Sequence, residues 1–243
     1  MKEGTHARVR TRYRVVANTL IITLGGRRRV LSSAPQGGGF RPASYILNHQ
    51  VETNPIPNSP PPQFFSDPAR YLRKLASRLG AGKGTVGLMT AVPMTQLVTA
   101  RVSAGRLWVE CFATVGVTNA VRAGEWPETG SYRYRRAGLG TINLILITNG
   151  SLSNAAMVGA VQVATETKTG VLRDHAVPSW TGLSGATGTG TDAVVIACRL
   201  RGQGPRHAYS GSHTVMGALV GRVVASCVSH GLAKAKKWQD RYR

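Results

Sequence analysis

The chain has 243 residues and a formal net charge of +21, from 31 Lys and Arg against 10 Asp and Glu. That length suits a single domain with a sizeable core, and a hydrophobic fraction of 42% is ordinary for a globular protein. No uninterrupted apolar run reaches the roughly 18 to 20 residues of a membrane span, and the Arg-rich start lacks the apolar stretch of a secretory signal; no membrane span and a cytoplasmic location are expected.

Along the chain, Arg8, Arg10, Arg12 and Arg14 alternate through a basic approach. Val15 to Leu24 and Arg29 to Ser33 then read as a hairpin around Gly25-Gly26. Ser32 to Gly39 is a glycine-rich loop, Ser44 to Val51 a short strand, and Asn54 to Pro62 an irregular Pro-rich loop. Pro68 to Leu79 has helical spacing, with Tyr71, Leu72, Leu75 and Leu79 on one face. Asp67 is its natural N-cap and Gly80 its stop. Strands follow at Thr85 to Ala91, Gln96 to Ser103 and Arg106 to Val115, the last two joined by an Ala104-Gly105 turn. Arg133, Arg135 and Arg136 mark a basic, Tyr-rich loop, and Ile142 to Thr148 is a buried strand. Asn154 to about Leu172 is a helix apolar on nearly every side, Val194 to Leu200 a strand, and Thr214 to about Lys237 a long final helix. The expected fold is α+β, a mixed, largely antiparallel sheet with helices packed on it, with a layered α/β sandwich as the alternative. It is read as one domain over 31–232, after a basic segment and first strand over 1–30 and before a basic tail over 233–243.

Several functions are disfavoured by pattern. The basic residues accompany no zinc-finger, helix-turn-helix or RNA-binding signature, so only non-specific polyanion binding at low salt is expected. Cys111, Cys198 and Cys227 are far apart in sequence and read as buried reduced thiols. No His pair has metal-ligand spacing, so no metal site is expected. Gly80-Ala81-Gly82-Lys83-Gly84-Thr85 imitates the end of a P-loop, but Ser77 stands where the first glycine belongs. The order is also helix to strand, so carbonyls rather than N–H groups face the loop.

The candidate chemistry lies in the second half. Gly185 to Asp192 alternates Gly with hydroxyls and ends in a carboxylate where a strand begins. Glycines let backbone N–H groups approach a ligand, Thr187, Thr189 and Thr191 add adjustable donors and acceptors, and Asp192 offers a base. A second small-residue turn, Ser210-Gly211-Ser212-His213-Thr214, precedes the last helix, and the two turns suggest one composite site. Glu166 sits in the apolar helix with Gln162 and Thr169 one turn to either side. A carboxylate there is either paired with Lys168, Arg173 or another base, or works in a site.

Six motifs in order resemble the adenosylcobinamide amidohydrolase family: Ser32-Ser33-Ala34-Pro35 with Gly37-Gly38-Gly39; Thr118-Asn119-Ala120 with Arg122-Ala123-Gly124; Gly140-Thr141-Ile142-Asn143; Thr165-Glu166-Thr167-Lys168; Ala186 to Asp192; and Gly211-Ser212-His213-Thr214. The resemblance covers roughly Leu31 to Gly231, leaving the basic ends outside, and Val115-Gly116 stands where an Ala-Gly pair is expected. It implies hydrolysis of the amide joining the aminopropanol arm to the corrin ring of adenosylcobinamide, the corrinoid being substrate and no cofactor being needed. Compatible roles are Asp192 or Glu166 as base, His213 as acid or orienting partner, Lys168 tuning Glu166, and Asn143 with the N–H groups of Thr187, Gly188, Thr189, Gly190 and Thr191 at the oxyanion. Ser33, Gly37, Gly38, Gly39, Asn119 and Arg122 are expected to contact the corrin fringe. A covalent route through Thr187, Thr189 or Ser33 stays open, because no serine-hydrolase elbow is present. The rival readings are a corrinoid-binding protein without turnover and a basic nucleic-acid-binding protein; a homo-oligomer is compatible with any of these.

Overall fold

The computed structural model describes residues 5–7, 10–52, 66–125 and 140–242, with side chains described as far as residue 237. The Pro-rich loop expected at Asn54 to Pro62 and the basic loop around Arg133, Arg135 and Arg136 lie outside the described residues.

The strands are β1 (Thr5–Ala7), β2 (Arg12–Val16), β3 (Thr19–Ser32), β4 (Gly39–Gln50), β5 (Thr85–Thr90), β6 (Val98–Ala104), β7 (Leu107–Val115), β8 (Ala120–Val121), β9 (Ile142–Thr148), β10 (Ser151–Leu152), β11 (Gly188–Thr189), β12 (Ala193–Cys198) and β13 (Arg206–His207). The helices are α1 (Pro68–Arg78), α2 (Asn154–Asp174) and α3 (Val215–Tyr242). Nine strands form one open sheet in the order β1-β6-β7-β9-β12-β3-β4-β5, with β2 paired to β3. Within this sheet only β4/β5 and β9/β12 are parallel among the described residues, and each pair is bridged by a helix, as a parallel crossover requires. The fold is therefore α+β, with a mixed and mostly antiparallel sheet.

Strand β9 is buried on both faces because the sheet curls. Ile142, Leu144 and Leu146 pack with Ala156, Ala160 and Val224 in the core beneath α2 and α3. Ile145 and Ile147 join Leu20, Ile22, Ile46 and Leu88 in a second core, where the β3–β5 end of the sheet folds back. The fold-back brings the Met89 carbonyl within 2.8 Å of Asn143 Nδ2. α1 covers the outer side, with Ala76 against Ile21 and Leu47.

Several local expectations shift. The first hairpin turns at Ala17-Asn18, both at positive φ (46° and 55°), and pairs β2 with β3. Gly25-Gly26 sits instead in a bulge inside β3, where pairing with β4 jumps between Thr23 and Arg28. A bulge absorbs extra residues and lets one strand continue, so the glycines bend the strand rather than end it. The glycine-rich loop ends early, because β4 begins at Gly39. The β6–β7 turn is Gly105-Arg106, with Gly105 at φ 58°. α1 keeps its expected cap, Asp67 accepting from the Arg70 N–H at 2.9 Å, and Gly80 follows at φ 72°. The N-terminal segment is woven into the sheet: β1 pairs with β6, and Arg10 and Thr11 donate to the buried Glu110 carboxylate. α2 is not apolar all round. Ala156, Ala160, Ala164, Lys168 and Val171 face inward, and the opposite side is exposed.

Candidate active site

β9 and β12 are parallel and begin at one rim of the sheet, where the Gly185–Asp192 segment enters β12. Asp192 is held there from three segments. Its Oδ1 accepts from the Ile142 N–H at 2.8 Å and from Thr189 Oγ1 at 2.5 Å. Its Oδ2 accepts from the Thr189 N–H at 3.0 Å and from Lys168 Nζ at 2.5 Å. The ion pair is largely buried, the two side chains being 8% and 12% exposed. Gly188 lies flat against it: a Cβ there would be 2.6 Å from Lys168 Nζ and closer still to Asp192 Oδ2. Glycine at 188 is thus required by close approach.

The rest of the segment is fastened in the same way. Thr187 donates its N–H to Val121 O at 2.9 Å, its Oγ1 accepts from the Ala123 N–H at 2.8 Å, and its carbonyl accepts from Thr169 Oγ1 at 3.0 Å. Thr141 Oγ1 reaches the Thr191 carbonyl at 2.9 Å. β11 pairs with β8, which places the Asn119–Arg122 loop alongside. Ser33 is on the same rim, bonded both ways to the backbone of Val194 at 3.1 and 3.0 Å. Gly37, Gly38 and Gly39 lead from there into β4, with Gly38 and Gly39 exposed and the Arg41 side chain over Gly37. Asn119 and Gly140 meet across the rim, and Asn119 Oδ1 is buried with no hydrogen-bond partner among the described residues.

Along the exposed face of α2 runs an open groove of about 620 Å³, lined by Gln162, Thr165, Glu166, Thr169 and Arg173 among others. It borders the glycine–threonine segment, since Thr169 bonds Thr187 and Arg173 touches Gly185. Glu166 is exposed and has no hydrogen bond or ion pair among the described residues. The expectation that Lys168 tunes Glu166 is therefore corrected. Two residues apart on a helix they point about 200° apart, and Lys168 turns inward to Asp192 instead.

Two further expectations are corrected. His213 does not join this rim. It is exposed just before α3, whose entry is tied to the start of α2 by a Ser210 Oγ to Ala156 O hydrogen bond. Ala156 and Lys168 are about 18 Å apart along the axis at 1.5 Å per residue, so the two small-residue turns occupy opposite ends of α2. Asn143 also fails to reach the loop surface. It is 1% exposed and points into the second core, its amide protons bonded to Asn48 Oδ1 at 2.9 Å and to Met89 O. The N–H groups of Thr187 and Thr189 are likewise engaged internally, so neither they nor Asn143 is free for an oxyanion.

Residues 2–240 match the family described as adenosylcobinamide amidohydrolase. The chain belongs to the adenosylcobinamide amidohydrolase family. It is 30% identical over 227 residues to an adenosylcobinamide amidohydrolase of Methanosarcina mazei, covering 90% of this chain and 96% of the relative. It is 31% identical over 234 residues to an uncharacterized protein of Methanocaldococcus jannaschii, covering 90% and 87%. A third relative, an adenosylcobinamide amidohydrolase of Halobacterium salinarum, is 36% identical over 121 residues, about half of each chain. The family match takes in the basic ends that the motif resemblance leaves outside, in keeping with the N-terminal strands' place in the sheet.

For an amidohydrolase-family chain, the rim supplies a hydroxyl on a carboxylate, a carboxylate–ammonium pair, and a free carboxylate in the neighbouring groove. No group of three or more His, Cys, Asp or Glu that could hold a metal ion occurs among the described residues. Sequence reading missed the Glu125 cluster, whose carboxylate accepts from the Arg122 N–H, Ser179 and Thr181. Desolvation is the largest single influence and opposes them, yet these bonds and the Arg122 charge together hold the Glu125 carboxyl below its usual range. Its signal was a lone loop carboxylate; its partners Ser179 and Thr181 lie more than 50 residues away.

Proposed function

We propose that this protein hydrolyses the amide joining the aminopropanol arm to the corrin ring of adenosylcobinamide, releasing aminopropanol and adenosylcobyric acid. The observation that carries the reading is the α2 groove, which runs beside the glycine–threonine segment and holds Glu166 free of any partner. Family membership supports the substrate class.

A corrin ring presents an apolar face and a fringe of carboxamides, each with a carbonyl acceptor and N–H donors. Gln162, Glu166 and Arg173, spaced four and seven residues apart, offer the complementary amide, acceptor and donor along one helical stripe. Ser33, Gly38, Gly39 and Arg122 supply the exposed remainder of the rim. The corrinoid enters as substrate and water is the only co-reactant.

The test is incubation with adenosylcobinamide, with aminopropanol release and the corrinoid product followed chromatographically. Turnover that falls about tenfold in Glu166→Gln, with an unchanged melting temperature, is the expected result for a groove carboxylate on the solvent side. Tight corrinoid binding with no aminopropanol released would replace this reading with that of a non-catalytic corrinoid-binding protein.

A further inference from the structure

Ser33, Thr187 and Thr189 are the rim hydroxyls that the sequence leaves open as nucleophiles, and their surroundings separate them; Thr141 Oγ1, on the same rim, donates to the Thr191 carbonyl. Ser33 Oγ accepts from the Val194 N–H and has no carboxylate partner among the described residues. Thr187 Oγ1 accepts from the Ala123 N–H and faces only the Val121 carbonyl, at 3.5 Å. Thr189 Oγ1 donates to Asp192 Oδ1 at 2.5 Å, while the other Asp192 oxygen is fixed by Lys168 Nζ at 2.5 Å. That is the arrangement of an activated nucleophile: a hydroxyl on a base, and the base oriented by a third group.

On the reading that this protein is an adenosylcobinamide amidohydrolase, we propose that Thr189 is its nucleophile, with Asp192 as base and Lys168 as the group that orients that base. Thr189 is 9% exposed and lies at the rim between two glycines, followed by the exposed Gly190 and Thr191; its Oγ1 also accepts from the Thr191 N–H at 3.4 Å. Thr189 Oγ1 bonds to the amide carbonyl carbon as its proton passes to Asp192. The C–N bond then breaks, and that proton leaves with the amine. Water adds to the resulting ester, returns a proton through Asp192 to Thr189 Oγ1, and frees the acid. The Lys168 ammonium holds the Asp192 carboxylate in place through its bond to Oδ2. Of the four donors on Asp192, only Thr189 Oγ1 gives up its proton in the reaction; the Ile142 and Thr189 N–H groups and Lys168 Nζ hold the carboxylate in place.

Two measurements decide it, both on the full chain. First, wild type, Thr189→Ser and Thr189→Ala are compared for aminopropanol release, with melting curves as the control for folding. Expected are retention within about tenfold in the Ser variant and a loss of at least about a thousandfold in the Ala variant. An Ala variant that keeps more than about a tenth of wild-type turnover overturns the proposal. Second, wild type is run in hydroxylamine. An acyl-threonine ester is intercepted as the corrinoid hydroxamate while the rate of aminopropanol release stays unchanged. Acid as the sole product overturns the proposal, and this arm decides even where Thr189→Ala does not fold. A wild type that releases no aminopropanol at all removes the substrate reading first, and the nucleophile with it.

Discussion

Lys168 and Asp192 lose their solvent together, so the effect of changing one depends on what is left of the other. Lys168→Met leaves the Asp192 carboxylate buried without its cation, and breaking such a pair typically costs about 3 to 5 kcal/mol. The expected outcome is a much lower urea midpoint, substantially recovered in the double variant Lys168→Met/Asp192→Asn, which removes both charges. A double variant no more stable than the single one would show that the pair is not coupled. Gly188→Ala should fall in the same class, because its Cβ would displace the pair without altering any ionisable group. Sequence alone marked Asp192 and Lys168 as separate candidates. Their pairing across 24 residues could not be read, because it depends on how α2 docks on the segment that enters β12.

At the scale of elements, the local code was legible wherever it acts over a few residues. α1 carries its cap, Pro start and Gly stop within 14 residues of sequence, from Asp67 to Gly80, and folds as that pattern dictates. Asp67→Ala should lower stability by about 1 kcal/mol, measured as a shift in the denaturation midpoint. The first hairpin was misplaced because Gly25-Gly26 is the stronger turn signal in sequence, yet Ala17-Asn18 makes the turn. Ala at φ 46° is strained, since the left-handed region costs a residue with a Cβ about 1 to 2 kcal/mol. Ala17→Gly should therefore raise the melting temperature; a drop would mean that the turn conformation is not limiting. The register of β3 against β4 before the bulge is set by Leu20, Ile22 and Ile46 entering the second core, a long-range condition that outweighs the glycine pair.

For the molecule as a whole, charge and protonation give two expectations. Only two ion pairs occur among the described residues, both buried, and the +21 is an excess that no internal pairing can cancel. Self-repulsion of that size should be relieved by salt, so the melting temperature should rise between about 0.05 and 0.5 M NaCl as the Debye length shortens. His49 bridges Thr19 and Tyr71 between the sheet and α1, and burial, followed by the nearby Arg78, lowers its pKa. Burial lowers His207 as well. Both histidines bind protons less readily folded than unfolded. Their contribution to stability is thus present above the unfolded value of about 6.5 and is lost as pH falls below it. His49→Gln should flatten that part of the stability curve; an unchanged slope would assign it to other groups.

The sequence by itself determined the family, the helices and the buried strand β9, because these depend on local propensity, apolar spacing and ordered short motifs. Only the tertiary structure decided which of those motifs meet. The helical turns between Ala156 and Lys168 set His213 and Asp192 at opposite ends of α2. The same helix turns Lys168 into the core and Glu166 out to the groove. Asn143, similar in sequence to a site amide, was taken into the second core when the sheet curled over β9. Contacts made across a helix or a folded sheet are fixed by packing, and packing is a property of the whole chain.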